Sequence, residues 1–134
     1  MPHRPVVVTG ANGNVGAPLV EALARRGTPV RAAVHGKPTE FGAEVNTVHF
    51  DYTNRETWTS AFRGAGSLFV LRPPHLSIVE NSINPAIDAA IEAGVDHIVT
   101  LSVMGAGSNP LLPHRRIEKH VESKPVAWTH VRPG

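Results

Sequence analysis

The sequence predicts an α/β fold: a doubly wound, Rossmann-type parallel sheet of six strands in the order 3-2-1-4-5-6. Three observations carry that reading. Short β-branched apolar runs alternate along the 134 residues with segments whose apolar positions recur at helical spacing. The connections between them are short, so each strand–helix–strand unit closes as a right-handed crossover onto a parallel neighbour. The first strand, Val6-Val7-Val8-Thr9, runs straight into Gly10-Ala11-Asn12-Gly13-Asn14-Val15-Gly16, three glycines spaced three apart where a helix begins. No internal repeat or linker interrupts the pattern, and residues 1–134 read as a single domain.

Each glycine of the triplet has its own task. Gly10 accepts the positive φ of a tight turn. Gly13, without a Cβ, lets an anion approach the backbone, and Gly16 lets the new helix pack close against the strand. The unpaired N–H groups of the first helical turn and the positive end of its dipole then face a phosphate. The spacing is G-x-x-G-x-x-G and lacks the Gly-Lys-Ser/Thr ending of a P-loop, which argues for a dinucleotide over a nucleoside triphosphate. The helix runs from Asn14 to Arg26 on Val15, Leu19, Ala22 and Leu23. Pro18 falls near its first turn, where a missing N–H costs little, and Gly27 supplies a left-handed stop.

Residues 30–34 form the second strand. At this point a dinucleotide fold places an acid for the ribose 2′-hydroxyl or a cation for a 2′-phosphate. Here His35-Gly36-Lys37 follow, with no carboxylate before Glu40. That favours NADP(H) over NAD(H), with Lys37 and His35 at the 2′-phosphate; the alternative is that Lys37 is an ordinary solvated loop residue. Residues 45–50 form the third strand, ending in Asp51, which is placed either to hold an adenine amino group or to bond its own turn. Asn54 caps a short helix to Phe62 that turns Trp58, Ala61 and Phe62 inward.

Residues 67–71 form a fourth strand whose unbroken apolar run suits burial on both faces. Arg72-Pro73-Pro74 ends it in an extended loop at the carboxyl edge of the sheet. Ser77 and Glu80 make an S-x-x-E capping box for a helix with Ile83, Ile87, Ala90 and Ile91 on one face, kinked by Pro85 and stopped at Gly94. Residues 97–101 form the fifth strand, ending at Ser102. A long loop containing Gly105, Gly107, Asn109, Pro110 and Pro113 follows, then a helix over 114–122 and a sixth strand over 126–131.

Composition removes several function classes. The chain has no cysteine, so disulfides, thiolate catalysis and cysteine-bound metal are excluded. Its eight histidines include no H-E-x-x-H or similar spacing, and no metal is expected. A net charge of +2 with dispersed cations gives no basic stripe for nucleic acid. The first strand begins too near Met1 for a signal peptide, and no apolar run approaches the roughly 20 residues of a membrane span. The expectation is therefore a cytoplasmic location without membrane contact.

Short-chain hydride-transfer enzymes place a tyrosine and a lysine four residues apart on a helix, so that the cation lowers the phenol's pKa. The one tyrosine here is Tyr52, and Glu56 stands four on. The catalytic residues are thus unknown from sequence. Two candidates remain: His114, which Glu118 at i+4 is expected to raise in pKa and orient, and Ser102, which has no base beside it in sequence.

Several motifs together resemble one family, the NmrA-like atypical short-chain dehydrogenase/reductases. They are Val8-Thr9-Gly10-Ala11-Asn12-Gly13-Asn14-Val15-Gly16, Leu68-Phe69-Val70-Leu71-Arg72-Pro73-Pro74, Leu101-Ser102-Val103-Met104-Gly105, His114-Arg115-Arg116-Ile117-Glu118-Lys119 and Thr129-His130-Val131-Arg132-Pro133-Gly134. The resemblance covers essentially the whole chain. It implies NAD(P) held by Gly10, Asn12, Gly13, Asn14 and Val15, by the loop from His35 to Lys37, by Asp51, and by Leu71, Arg72 and Pro73, with Ser102 and Val103 near the nicotinamide. The family usually carries an arginine where His35 stands, and often a threonine where Asn12 stands, a change the turn tolerates.

The family includes reductases, quinone and isoflavone reductases among them, and NADP(H)-responsive regulators that bind the cofactor without obvious turnover. Its members run on after Arg-Pro-Gly for about as many residues again, supplying a substrate lobe in keeping with usual domain sizes. The chain accordingly looks like the amino-terminal half of such a protein, without that lobe. The expected function is an NADP(H)-preferring cofactor-binding or redox-sensing module with no turnover of its own. The alternatives are an NAD(P)H-dependent reductase of quinone type or similar that lacks its substrate lobe, and a truncated remnant without function. The sequence leaves room for a protein partner without identifying one.

Overall fold

Six strands form one all-parallel sheet in the order β3-β2-β1-β4-β5-β6. They are β1 (Val6–Thr9), β2 (Val30–Val34), β3 (Asn46–His49), β4 (Ser67–Val70), β5 (His97–Leu101) and β6 (Ala127–Val131). The helices are α1 (Gly16–Arg25), α2 (Trp58–Phe62), α3 (Ile83–Glu92) and α4 (Pro113–Glu122). The structure is a computed structural model and describes residues 4–36, 40–43 and 45–133. The predicted doubly wound topology is the one observed, with the two β1 neighbours, β2 and β4, reached by crossovers that leave the sheet in opposite directions.

The two faces are packed unequally. On one, Trp58 and Phe62 of α2, Ile83 and Ile87 of α3, and Ile117 and Val121 of α4 close over Leu68, Val70 and Ile98. On the other, Val20 of α1, with Leu19 and Leu23 beside it, covers Val8, Val30 and Ala32. The register aligns Ala32, Val8, Phe69, Val99 and Thr129 in one row on that second face. Burial declines along the row: Ala32 and Val8 are buried, Phe69 and Val99 half-buried, Thr129 exposed. The expectation that the fourth strand is buried on both faces is therefore corrected. Leu68 and Val70 are buried on one face, but Ser67 and Phe69 on the other are only half-buried, Phe69 packing at the margin of the cluster around Val8 and Val20.

Local signals explain most element boundaries. The Asn54 side chain accepts from the Glu56 N–H at 3.1 Å and opens a 3-10 turn that leads into α2. Gly27 and Gly94, at φ of 74° and 109°, follow the ends of α1 and α3 in the left-handed region that favours glycine. Pro113 opens α4 at a position whose N–H has no intrahelical partner.

The third helix departs from expectation. A 3-10 turn over Val79–Asn81 precedes it, and the helix itself opens at Ile83, with Ala86 N donating to Ser82 O at 3.2 Å. Ser77 and Glu80 form no capping box: the helix opens only at Ile83, and the Glu80 carboxylate that such a box would use accepts from Arg116 Nε of α4 at 2.9 Å, while Arg116 Nη2 donates to the Ser77 carbonyl. A tertiary ion pair has outcompeted the local cap. Pro85 consequently lies in the first turn and not in mid-helix, so its missing N–H breaks no bond and produces no kink.

Thr9 ties the middle of the sheet. Its hydroxyl donates to Phe69 O at 2.8 Å and accepts from the Tyr52 hydroxyl and from Leu71 N, each at 2.9 Å. All three of its hydrogen-bonding positions are used. Thr9→Val keeps the shape but strands a buried phenol and two backbone groups, and unfolding stability in urea should fall by about 2–4 kcal/mol. Thr9→Val with Tyr52→Phe should recover part of that loss, because it removes both partners of one bond; no recovery would show that the phenol contact contributes nothing.

Candidate functional site

At the carboxyl edge, where β1 and β4 part, lies a cavity of about 470 Å³. This is the crevice in which open α/β sheets bind ligands. Four stretches wall it: the glycine turn (Gly10 and 12–15), the end of β2 (Ala33 and His35), the segment after β3 (50–53), and the loop after β4 (71–76).

The turn is shaped by what its glycines exclude. Gly10 adopts φ 60°, and a Cβ there would lie 3.2 Å from Leu71 Cδ1. Gly13 N donates to Gly10 O at 3.0 Å, closing the turn, and a Cβ on Gly13 would sit 3.3 Å from that same oxygen. Gly16 is the tightest: its Cβ would stand 2.1 Å from Gly10 O, so α1 packs on the turn's own backbone at a distance only glycine allows. Its first turn holds no acidic residue, and no side chain caps its N-terminus. The positive end of a ten-residue helix thus meets the cavity without a carboxylate to neutralise it. A phosphate fits the chemistry of this wall.

Asp51 does one of the two things weighed for it, bonding its own turn. Its Oδ1 accepts from Thr53 N at 2.8 Å and from Thr53 Oγ1 at 2.7 Å, an Asx turn. Its Oδ2 faces the cavity rim, 3.3 Å from His35 Nε2. Burial alone would raise the Asp51 pKa, but the Thr53 hydrogen bonds, with His35 and His49 nearby, bring it below the ordinary value. The Trp58 indole N–H donates to Asp51 O at 3.0 Å, so the whole segment is pinned to α2.

Arg72 folds back over its own loop. Its Nη1 donates to Pro74 O at 3.1 Å and to Leu76 O at 3.0 Å, which fixes the curve that the prolines begin. Asn12 reaches across the turn to His35 O at 3.1 Å and joins the glycine wall to the end of β2. Lys37 lies outside the described residues. Phe50, Tyr52, Thr53 and Ala33 also line the cavity. Phe50 and Tyr52 were not singled out as cavity residues from sequence; the alternation of Val48, Phe50 and Tyr52 is the signal that could have found them.

Ser102 and Val103 do not line this cavity. Ser102 is buried at the end of β5, where its N–H donates to Val131 O at 2.7 Å. His114 also stands outside it, and the expectation that Glu118 raises and orients this histidine is corrected. The Glu118 carboxylate is given to arginines: Arg132 Nε at 2.9 Å, Arg132 Nη2 at 2.6 Å and Arg115 Nη1 at 2.8 Å. His114 is instead pushed down, first by burial and then by the Arg72 charge, with Glu118 opposing only in part. Tyr52 is no acid either, since burial drives its phenol upward despite the bond to Thr9.

Glu118 is fully buried. Burial opposes its charge, yet the hydrogen bonds led by Arg132 prevail and hold its pKa at about 2, against an ordinary 4.5. Glu122 extends the network, accepting from Arg115 Nη1 at 3.0 Å and His130 Nε2 at 2.9 Å, while His130 Nδ1 meets Thr100 Oγ1 at 2.7 Å. Glu118, Glu122 and His130 lie close enough together to suggest a metal cage. Two guanidinium groups already satisfy the carboxylates, so the cluster is a structural ion network.

A doubly wound parallel sheet with a glycine turn and an unneutralised helix N-terminus at its carboxyl edge defines the dinucleotide-binding class of α/β proteins. Residues 10–134 match the family model described as NAD(P)H-binding, and the chain belongs to that family. Among solved structures it is similar to triphenylmethane reductase of Citrobacter sp. complexed with NADP(H), at 24% identity and TM-score 0.75 over 96% of this chain. It is also similar to an NADPH-dependent quinone oxidoreductase of Escherichia coli complexed with NADPH, at 24% identity and TM-score 0.79 over 96% of this chain. A double mutant of NmrA gives 23% identity and TM-score 0.80 over 98%. At these identities the likeness is one of fold. The chain spans about half the length of each, 48%, 48% and 45% respectively. No curated protein matches it by sequence. No helix among the described residues is long and apolar enough to cross a membrane.

The Glu118 network gives a pH prediction. A carboxylate whose folded pKa is lowered contributes stability above its unfolded value, and that contribution is lost as pH falls through the folded value. The melting temperature should therefore drop as pH falls from about 4.5 towards about 2. Glu118→Gln, melted over the same range, should show a shallower decline and a lower melting temperature at neutral pH; parallel wild-type and variant curves would rule the network out as the cause.

Proposed function

We propose that the chain is an NmrA-like, NADP(H)-preferring module that binds the cofactor, and serves as a redox sensor, without turnover of its own. The observation that carries the reading is the joining of an anion-ready helix N-terminus to a continuous crevice running past Asp51 and His35 to the Arg72 loop. Gly10, Gly13, Asn14 and Val15 would hold the pyrophosphate, with Gly16 setting the approach of the helix. Asn12 would fix the turn against the end of β2. Asp51 would receive the adenine amino group on Oδ2, the oxygen not committed to Thr53. His35, with Lys37, would meet the 2′-phosphate, and Leu71, Arg72 and Pro73 would border the far side, with Ser102 and Val103 towards the nicotinamide. When bound, the cofactor supplies hydride chemistry.

The absence of turnover is supported by the state of the candidate acids among the described residues. Tyr52 is held protonated by burial and bonded to Thr9, and His114 favours the neutral form near Arg72. A second reading, an NAD(P)H-dependent reductase whose substrate-binding residues lie outside this chain, is favoured by the likeness to two reductases complexed with NADP(H) and NADPH. Supply of the missing residues by another chain would separate the two.

Thermal melting with NADPH, NADH and ADP-ribose tests the proposal. NADPH at a hundredfold excess over its Kd should add about 2.7 kcal/mol, and NADH at equal concentration less. Gly13→Ala should keep the fold but weaken NADPH binding by about tenfold or more, since the added methyl enters the phosphate cradle. The absence of a shift with any of the three would overturn cofactor binding. Oxidation of NADPH by quinones or aldehydes with the purified chain would overturn the absence of turnover.

A further inference from the structure

Two histidines meet beside the cavity: His35, which lines it, and His49, which stands next to His35 without lining it. His35 follows β2 directly, and His49 closes β3 in register opposite Val34. Their ring centroids are 5.9 Å apart, tilted by 38°, and both side chains are exposed. β3 is the edge of the sheet, so no further strand screens His49 from solvent. The end of β2 is where dinucleotide folds distinguish a ribose 2′-hydroxyl from a 2′-phosphate. A fixed negative charge would signal NAD(H) and a fixed positive one NADP(H); here the described residues put two imidazoles, whose charge as a class changes between about pH 5 and 8.

We propose that His35 and His49 act as a pair that reads the 2′-phosphate, so that preference for NADP(H) over NAD(H) is set by proton uptake and fades as pH rises. The inference rests on the cofactor reading above and adds to it the role of His49 and the dependence on protons. Two imidazolium rings this close repel one another, and a dianion bound against both offsets that repulsion. Binding of the 2′-phosphate is therefore coupled to protonation of the pair, whereas a 2′-hydroxyl offers nothing to couple.

The other groups facing the pair do not supply the charge. Asp51, after β3, stands 3.3 Å from His35 Nε2 and balances one positive charge at most, which leaves the second histidine to determine the net sign. Asn12, from the glycine turn, donates to the His35 carbonyl and is uncharged. α1 brings no acidic residue in its first turn. Thr53 turns its hydroxyl to Asp51.

Binding of NADPH and NADH is measured by titration calorimetry between about pH 6.5 and 8.5, above the second ionisation of a phosphate monoester near pH 6. Lys37 is left in place throughout, so any charge that does not titrate is common to all samples. The ratio of the NADH Kd to the NADPH Kd should fall about five- to tenfold over that range, the size of one or two exposed ion pairs. NADPH binding near neutral pH should take up protons from buffer and NADH binding should not. His35→Arg should keep the ratio high at the alkaline end, and His49→Gln should lower it at the acid end and reduce proton uptake. A ratio that stays flat while both dinucleotides bind would overturn this inference and leave the cofactor reading standing. The same fall in a His35→Gln/His49→Gln double variant would also overturn it, by assigning the effect elsewhere. Failure of both dinucleotides to bind at any pH would overturn both.

Discussion

The contact on which the rest of the site depends is between the backbone of α1 and the backbone of the turn before it. A Cβ on Gly16 would come within 2.1 Å of Gly10 O and 2.8 Å of the Ala11 Cα, distances that no side chain survives. The helix is therefore driven down onto the turn, and its axis is aimed at the cavity. With that axis set, Val20 packs on Val8 and Ala32, and Asn14 and Val15, which lead into the helix, line the ligand space. Moving α1 outward by the width of a methyl group would loosen both at once. Core packing and anion binding thus share one geometric requirement, met by the absence of one atom.

The second constraint is a hydroxyl. At the end of β1 the chain must join two neighbours whose crossovers leave on opposite faces, and ladder hydrogen bonds cannot hold strands that are diverging. Thr9 spans the gap by bonding to Phe69, Leu71 and Tyr52. Because Tyr52 follows β3 and Leu71 opens the proline loop, one side chain sets the positions of two cavity walls. The chain's single tyrosine is spent on this joint, and its phenol is pushed to a high pKa by the same burial that makes the joint rigid.

Much of the fold was legible because its signals are local. The β2 and β5 boundaries follow directly from their apolar runs, and the strand order follows from alternation and crossover handedness. The misreadings all come from tertiary competition. Ser77 and Glu80 spell a cap, yet Arg116 arrives from thirty-odd residues away and takes the Glu80 carboxylate. Glu118 is one helical turn from His114, yet Arg132, from beyond β6, reaches it with two donors. The fourth strand reads as buried on both faces, but Phe69 packs only at the margin of the cluster under α1 and stays half-buried. In the cavity, the glycine turn and Asp51 were readable from spacing. The pairing of His35 with His49 was not, since it depends on the register of two strands with residues 35–45 between them.

Charge is distributed unequally along the carboxyl edge. Around α4 and β6 each carboxylate has an arginine or histidine assigned to it, and Glu118 is held ionised far below the neutral range. Such a cluster is rigid and chemically spent: its charges cannot change without cost to the fold. Along the glycine turn and the end of β2 the balance is the reverse. The first turn of α1 carries no acidic residue, and His35 and His49 are exposed. One half of the edge is thus a fixed ion lattice that locks the last helix to the last strand. The other half sets an uncapped helix N-terminus, with no acidic residue in its first turn, beside an open crevice whose walls carry Asp51 and His35 in contact with one another.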